Sequence, residues 1–250
     1  EDLKLNPISE EWNKFGGYKQ GSKFKGTGHF RVEKIDGKWW FIDPEGYLFW
    51  STGVNSAGKF NVATPINGRR HFFEDLPNRE YSNFYNGNKF NFGNLILSIK
   101  YGSSDLYLNL SLKRMKSWGM NSMGGWSNND IIQANNDQKV PYTLSVGTLK
   151  YKVNSKLPDV FNENWKNNVN NNIKRVSAIA KNDSFFIGFF VDNELTWYDP
   201  NNFVLEMFKF KKSTSTKSKY IEELKKEFVK IDLLNKKCGS NFISWKEFED

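Results

Sequence analysis

Asp192-Asn193-Glu194 is the group of residues in this chain best equipped for chemistry. It follows directly on the apolar run Phe185-Phe186-Ile187-Gly188-Phe189-Phe190-Val191, and Leu195, Thr196 and Trp197 come after it. A short apolar run without alternation predicts a strand buried on both faces, as in the parallel sheets of α/β proteins. Where such strands close into a barrel their C-terminal ends carry the reacting groups, which would turn Glu194 into an active site. A carboxylic acid there, beside an amide that can hold a sugar hydroxyl, suits proton transfer in glycoside hydrolysis. The same residues would also serve as a polar end to a strand and its turn. Asp192, which precedes the Asn-Glu pair, is expected to be a structural hydrogen-bond partner.

The elements that would position Glu194 can be read upstream of it. Phe30 to Ile35 alternates, Asp36-Gly37 supplies a tight turn and Lys38 to Ile42 runs back, the pattern of a hairpin. After the turn Asp43-Pro44-Glu45-Gly46, Tyr47 to Asn55 predicts one continuous strand ending in small residues and Asn55. Residues 56–93 are polar, rich in Asn and Gly, and predict a long loop carrying Arg69, Arg70 and His71; loops of this length are usually functional or disordered. Asp105 to Trp118 has helical spacing, with Leu106, Leu110, Met115 and Trp118 as its face and Gly119 as its stop. Met120 to Gly125, closed by Trp126-Ser127, predicts a second strand, Ile131 and Ile132 a brief helix, and Val140 to Gly147 a third strand. Phe161, Trp165, Val169, Ile173, Val176 and Ala180 step by three or four along a helix. Asn is a poor helix former, and seven of them fall between 162 and 172, so packing must hold that helix. Tyr220 to Val229 reads as helix, and Leu234 to Asp250 as a partly helical tail.

Four strands alternating with helical segments predict βαβ units and a parallel sheet. The expected fold class is α/β of the (β/α)8 TIM-barrel type, with only about the first four βα units present and a β-hairpin in front. A complete barrel takes about 250 residues, but here a lead-in over 1–29 and the long loop consume much of the length. Residues 30–250 are therefore expected to form a partial catalytic domain that continues beyond Asp250.

Composition narrows the function classes. With 38% hydrophobic and 16% aromatic residues the chain can build a core. Nine Trp and ten Tyr also fit stacking against sugar rings, although most aromatics must serve the core. The net charge of +8 is spread along the chain, and the dense run from Lys209 through Lys212 to Lys217 and Lys219 reads as a solvated loop. No helix-turn-helix or aromatic–basic repeat accompanies it, so no nucleic-acid partner is expected, whereas a polyanionic glycan would suit the basic surface. The apolar run at 185–191 is far shorter than the ~20 residues of a membrane helix, so no membrane association is expected. One cysteine, Cys238, excludes an internal disulfide and reads as a small packed thiol. Two histidines and one cysteine make no ordinary zinc site, so neither metal nor other cofactor is expected. No G-x-S-x-G elbow or dinucleotide loop occurs.

Several stretches together resemble glycoside hydrolase family 50, the β-agarases, within the clan A (β/α)8 retaining glycosidases. They are Gly37-Lys38-Trp39-Trp40-Phe41-Ile42-Asp43-Pro44-Glu45-Gly46, Phe49 to Asn55, Trp118 to Ser122 with Gly125-Trp126-Ser127, Val140 to Leu144, Gly188 to Trp197, and Leu234-Asn235 through Ser244-Trp245. The resemblance implies cleavage of β-galactosidic linkages in agarose or neoagaro-oligosaccharides, with a galactan as partner and no cofactor. It implies Glu194 as general acid/base and Asn193 as the group holding the sugar 2-hydroxyl. Burial and a nearby nucleophile are expected to raise the pKa of Glu194. Asn55, Trp126, Trp197, Arg69 and His71 are candidate substrate contacts. The nucleophile would be a second glutamate on a seventh strand; Glu206, Glu222, Glu223, Glu227, Glu247 and Glu249 follow no buried strand, so it is expected beyond residue 250, and this chain alone is expected to be inactive. A secreted or periplasmic location fits such a substrate. A different clan A enzyme such as a β-galactosidase, or a glycan-binding protein without turnover, would keep many of the same features.

Overall fold

A computed structural model describes residues 2–58, 63–128, 130, 132, 138–153, 156–196, 200–209 and 214–250. The chain divides into two compact units, one of residues 1–144 with 180–189, the other of 145–179 with 190–250.

The first unit opens with the short helix α1 (Asp2–Leu5) and strand β1 (Tyr18–Lys23). Strands β2 (Arg31–Ile35) and β3 (Lys38–Ile42) form the expected hairpin, with Arg31 opposite Ile42 and Ile35 opposite Lys38. Its turn residues Asp36 and Gly37 have φ of 48° and 80°, the left-handed pair that a two-residue type I′ turn demands. Strand β4 (Tyr47–Phe49) completes an antiparallel sheet of order β1-β4-β3-β2. The lead-in thus supplies a strand, and it also supplies Phe15, which is buried with Phe30 and Phe49 and backed by Phe185 and Ile187. The Phe15 and Phe185 rings lie 4.7 Å apart. Burying each such phenyl group contributes about 1.5–3 kcal/mol.

The single strand expected over 47–55 is two strands. β4 ends at Phe49, and β5 (Gly53–Val54) belongs to a second, parallel sheet. The break comes from a side chain distant in sequence. The buried Asn121 amide accepts from Thr52 N at 2.9 Å and donates to Trp50 O at 3.0 Å and Gly16 O at 3.1 Å, turning 50–52 out of either ladder.

The polar stretch 56–93 is not simply a loop. β6 (Ala63–Pro65), β7 (Tyr85–Asn86) and β8 (Lys89–Asn91) form a small antiparallel sheet of order β6-β8-β7, with short 3₁₀ turns at Arg70–Phe72 and Arg79–Phe84. Fully buried Phe90 anchors it, with Tyr85 and Phe92 rings 4.5 and 4.6 Å away. Helix α2 (Phe92–Tyr101), which the pattern did not signal, precedes α3 (Ser104–Ser117). The buried residues of α3 include Leu108, Leu112 and Met115, whereas Leu106 and Trp118, expected on that face, are exposed. Ile132 is buried; Ile131 lies outside the described residues.

The parallel sheet has the order β11-β10-β9-β5, with β9 (Ser122–Met123), β10 (Tyr142–Val146) and β11 (Phe186–Val191). β5 and β10 both pair parallel with β9. Tyr142 N donates to Phe185 O and Asp192 N to Val146 O, so β11 runs in the same direction. The fold is mixed α/β with a four-stranded parallel sheet. Contrary to expectation, β11 is not buried on both faces: Phe189, Phe190 and Val191 are exposed. It stands at the edge of the sheet with β10 as its one neighbour among the described residues, so on each face its side chains are flanked from one side only.

The second unit carries α4 (Glu163–Ala180, its last residue in the first unit), α5 (Pro200–Lys209), α6 (Ser215–Phe228), α7 (Ile231–Cys238) and α8 (Trp245–Glu249). On α4 the expected face holds at Val176 and Ala180, while Phe161, just before the helix, and Ile173 are exposed. The described parts of the basic run are helical: Lys209 ends α5, and Lys217 on α6 is buried, its Nζ donating to Glu249 O. Lys211 and Lys212 lie outside the described residues. Cys238 is exposed rather than packed, because it ends α7 on its outer side. Among the described residues no helix is long and apolar enough to cross a membrane.

In the first unit Asp183 ties β11 to β10. Its Oδ2 accepts from Lys139 Nζ at 2.6 Å and from the Tyr142 hydroxyl at 2.7 Å, and Oδ1 accepts from Phe185 N at 3.0 Å. Partial burial pushes its pKa up, but the Lys139, Tyr142 and Phe185 donors outweigh that and hold the carboxyl below its ordinary value. Burial, then the Asp183 carboxylate, pushes the Tyr142 hydroxyl well above the ordinary phenol value. A depressed carboxylate contributes stability that is complete above the unfolded value of about 3.9 and is lost as pH falls through the folded one. Asp183→Asn should therefore lower the urea midpoint at neutral pH and flatten its decline below pH ~4. Parallel midpoint-against-pH curves for the two proteins would show that this carboxylate does not couple to folding.

Candidate active site

Among the described residues, four of the seven non-glycine residues with positive φ stand just past the ends of parallel strands. They are Ser56 after β5, Trp126 after β9, and Asp192 and Glu194 after β11, with φ of 57°, 61°, 53° and 50°. Left-handed backbone at such residues costs about 1 kcal/mol or more each and gathers where function demands it.

At the first unit's strand ends Asn55 and Trp126 are brought close. Asn55 follows β5 directly, and its Oδ1 lies over Gly124, where a Cβ would approach it to 1.9 Å, so a larger residue at 124 would displace the Asn55 side chain. Ser56 N donates to Gly125 O at 2.9 Å, Ala57 N to Ser127 Oγ at 3.2 Å, and Ser127 Oγ to Gly124 O at 2.8 Å. These bonds lock 55–57 to 124–127 and leave the Trp126 indole 43% exposed. Arg69 and His71 are exposed at the 3₁₀ turn, where Arg69 N donates to Ile66 O and the His71 ring packs on Phe72 at 4.2 Å. Among the described residues none of these contacts reaches Asn55 or Trp126.

In the second unit, Asn193 and Glu194 leave β11 through a clamp on the end of β10. The Asp192 carboxylate accepts from Thr148 N at 2.6 Å and also from the Thr148 hydroxyl, the structural role expected of it. Trp165 Nε1 of α4 donates to Thr148 O at 2.9 Å, and Asn172 Nδ2 donates to Gly147 O at 2.8 Å. One tryptophan and one asparagine of this helix thus satisfy strand-end carbonyls that would otherwise be orphaned.

Residues 148–153 and 156–159 lie against each other, with Val153 N donating to Leu157 O at 2.9 Å and Lys152 bridging Pro158. Buried Asp159 pins the far end by accepting from Ser215 N, Thr216 N and Thr216 Oγ1 at the start of α6. Lys156 Nζ donates to Glu194 Oε2 at 3.0 Å. Lys156 and then Asn193, as hydrogen-bond donors, hold the Glu194 carboxyl below its ordinary value. The expected upward shift is absent because the Glu194 side chain is 74% exposed and the charge that acts on it among the described residues is the Lys156 ammonium. Trp197 lies outside the described residues. Thr148, Lys156 and Asp159 were missed in the sequence; Thr148 alone carried a signal, as the polar residue ending the third strand. Among the described residues no group of three or more His, Cys, Asp or Glu side chains could hold a metal ion.

Thr148→Val keeps the shape and removes one donor from the clamp, so it should lower unfolding free energy by about 1–2 kcal/mol, and Asp192→Ala by more, since both donors lose their acceptor. Urea denaturation checks this. A loss below about 0.3 kcal/mol for Thr148→Val would show that its hydroxyl does not hold the strand end.

No protein-family model matches the chain. It is 30% identical to "Beta-agarase B" of Vibrio sp. (strain JT0107), across 94% of this chain and 30% of that protein. A solved structure titled "Structure of PfGH50B" superposes with a TM-score of 0.81 at 25% identity, covering 98% of this chain and 42% of the other. Another, titled "Structural analysis of an exo-beta-agarase", gives a TM-score of 0.84 at 23% identity over 99% and 43%, a likeness of fold. The chain thus spans less than a third of the length of the curated relatives it matches, 30% of one and 19% of "Beta-agarase A" of the same organism. Over nearly its whole length it is a homologue of part of the β-agarases, and the resemblance to glycoside hydrolase family 50 carried by its motifs holds.

Proposed function

We propose that this chain is the N-terminal part of the catalytic domain of a retaining (β/α)8 glycosidase cleaving β-galactosidic linkages of agarose and neoagaro-oligosaccharides. The observation that carries this reading is Asn193-Glu194 set in a left-handed turn at the end of a parallel strand, in a chain homologous to β-agarases. Glu194 donates its proton to the departing glycosidic oxygen and afterwards takes a proton from the attacking water. Asn193 holds the 2-hydroxyl of the reacting sugar. Asn55 offers its amide to a hydroxyl, while Trp126 and Trp197 give flat faces for a ring to stack on. Arg69 and His71 contact more distant parts of the chain of sugars.

The reaction needs a second carboxylate about 5–5.5 Å from the first. Glu222 and Glu223 are tied to Lys219 and Lys226 on the exposed side of α6, and Glu249 is engaged by Lys225, so they suit surface roles. The nucleophile accordingly comes from residues beyond 250, and the domain comprises a lead-in over 1–29 and a catalytic part from 30 onward. Its negative charge would also offset Lys156 and lift Glu194 toward the protonated form that a general acid requires. A polymeric substrate of this kind is met outside the cytoplasm, in keeping with a secreted or periplasmic enzyme.

In the longer protein, Glu194→Gln should reduce hydrolysis of neoagaro-oligosaccharides by about 10²–10⁴-fold. An aryl β-galactoside, whose leaving group needs little protonation, should retain its first step, and added azide should yield a glycosyl azide. Undiminished hydrolysis by Glu194→Gln would remove Glu194 from the acid/base role. Binding of agarose without cleavage by the wild type would make the protein a glycan binder instead.

A further inference from the structure

Lys156 reaches Glu194 by construction rather than by chance of a surface side chain. Its segment is fixed at both ends, by the Asp192–Thr148 clamp and by Asp159 on the N-terminus of α6. It is fixed a third time at Lys156 itself, whose carbonyl accepts from Thr196 N at 3.3 Å, two residues past Glu194. The backbone bond and the 3.0 Å ion pair together form a two-point attachment of the 148–159 segment to the turn after β11. We infer that Lys156 is a positioning residue for Glu194, holding its carboxylate in one orientation at the end of β11. The inference rests on the acid/base reading of Glu194.

The charges around this carboxylate give the pairing a direction. Asp192, on the same turn, has its carboxylate engaged by Thr148, and Asp159 faces α6, so Lys156 is the charged group among the described residues that acts on Glu194. An ammonium at this place favours the carboxylate, the form that activates water in the second half of a retaining reaction, over the acid needed in the first half. The Glu194 side chain is 74% exposed and that of Lys156 43%, so salt weakens the pairing.

Two experiments test this. In the first, the Glu194 carboxyl signal of the 250-residue chain, assigned through Glu194→Gln, is followed by carbon-13 NMR titration. Its midpoint should rise in Lys156→Met and in Lys156→Gln, stay near wild type in Lys156→Arg, and rise in the wild type at about 1 M salt. An unchanged midpoint in both neutral variants overturns the inference. This readout needs no turnover, so it stands apart from the glycosidase reading. In the second, the pH dependence of kcat/KM is measured for the longer protein. Its alkaline limb reports the acid of the free enzyme and should move to higher pH in Lys156→Met but not in Lys156→Arg. An unmoved limb beside a shifted NMR midpoint would mean that Lys156 orients a carboxylate that is not the acid, which refutes the role in the reaction.

Discussion

The acceptance of two Thr148 donors by the Asp192 carboxylate is the interaction on which the candidate site depends. β10 and β11 both stop there, and each would otherwise leave strand-end polar groups without partners. By taking Thr148 N–H and O–H, Asp192 ends the ladder at a defined residue and sends the chain into a left-handed turn. Asn193 and Glu194 are the next two residues. The same clamp starts the 148–159 segment that returns Lys156 to Glu194. A carboxylate just past the strand end therefore sets the direction of a second carboxylate two residues later.

The strand ends share one chemical habit. Small or polar residues follow each parallel strand, Asn55-Ser56, Gly124-Gly125, Gly147-Thr148 and Asp192-Asn193, and left-handed backbone comes with three of the four. Such turns expose side chains at once, whereas a longer connection would carry them away from the strand. Asn121 performs the opposite service before β5 and β9. Its three hydrogen bonds hold 50–52 and Gly16, so that Gly53 can enter the parallel sheet against Ser122.

How much of this was legible in the sequence follows the range of the interactions involved. The β2–β3 hairpin was readable because Asp36-Gly37 dictates its own turn, and β10 and β11 because apolar runs mark strands locally. The split between β4 and β5 was not, since Tyr47 to Val54 is apolar enough for one strand and Asn121, almost seventy residues on, breaks it. The small sheet within 56–93 escaped notice because its strands are two or three residues long and gain their stability from rings around Phe90. On α3 two apolar faces compete, and packing selected Leu108, Leu112 and Met115 over Leu106 and Trp118. Glu194, Asn193, Asn55 and Trp126 could be placed past strand ends because each follows a readable strand; the Lys156–Glu194 contact could not, because it depends on how residues distant in sequence come together. The exposure of β11 was misjudged for a related reason: an apolar run reports what a strand can bury, and sheet order decides what it does bury.

The central claim is that Glu194 faces the scissile linkage. The most direct test is a crystal structure of the longer protein with Glu194→Gln and bound neoagarotetraose. The account predicts the residue-194 amide about 2.6–3.2 Å from a glycosidic oxygen, with Asn193 on the 2-hydroxyl of the adjoining galactose. An oligosaccharide bound across the protein with no glycosidic oxygen near residue 194 would contradict it.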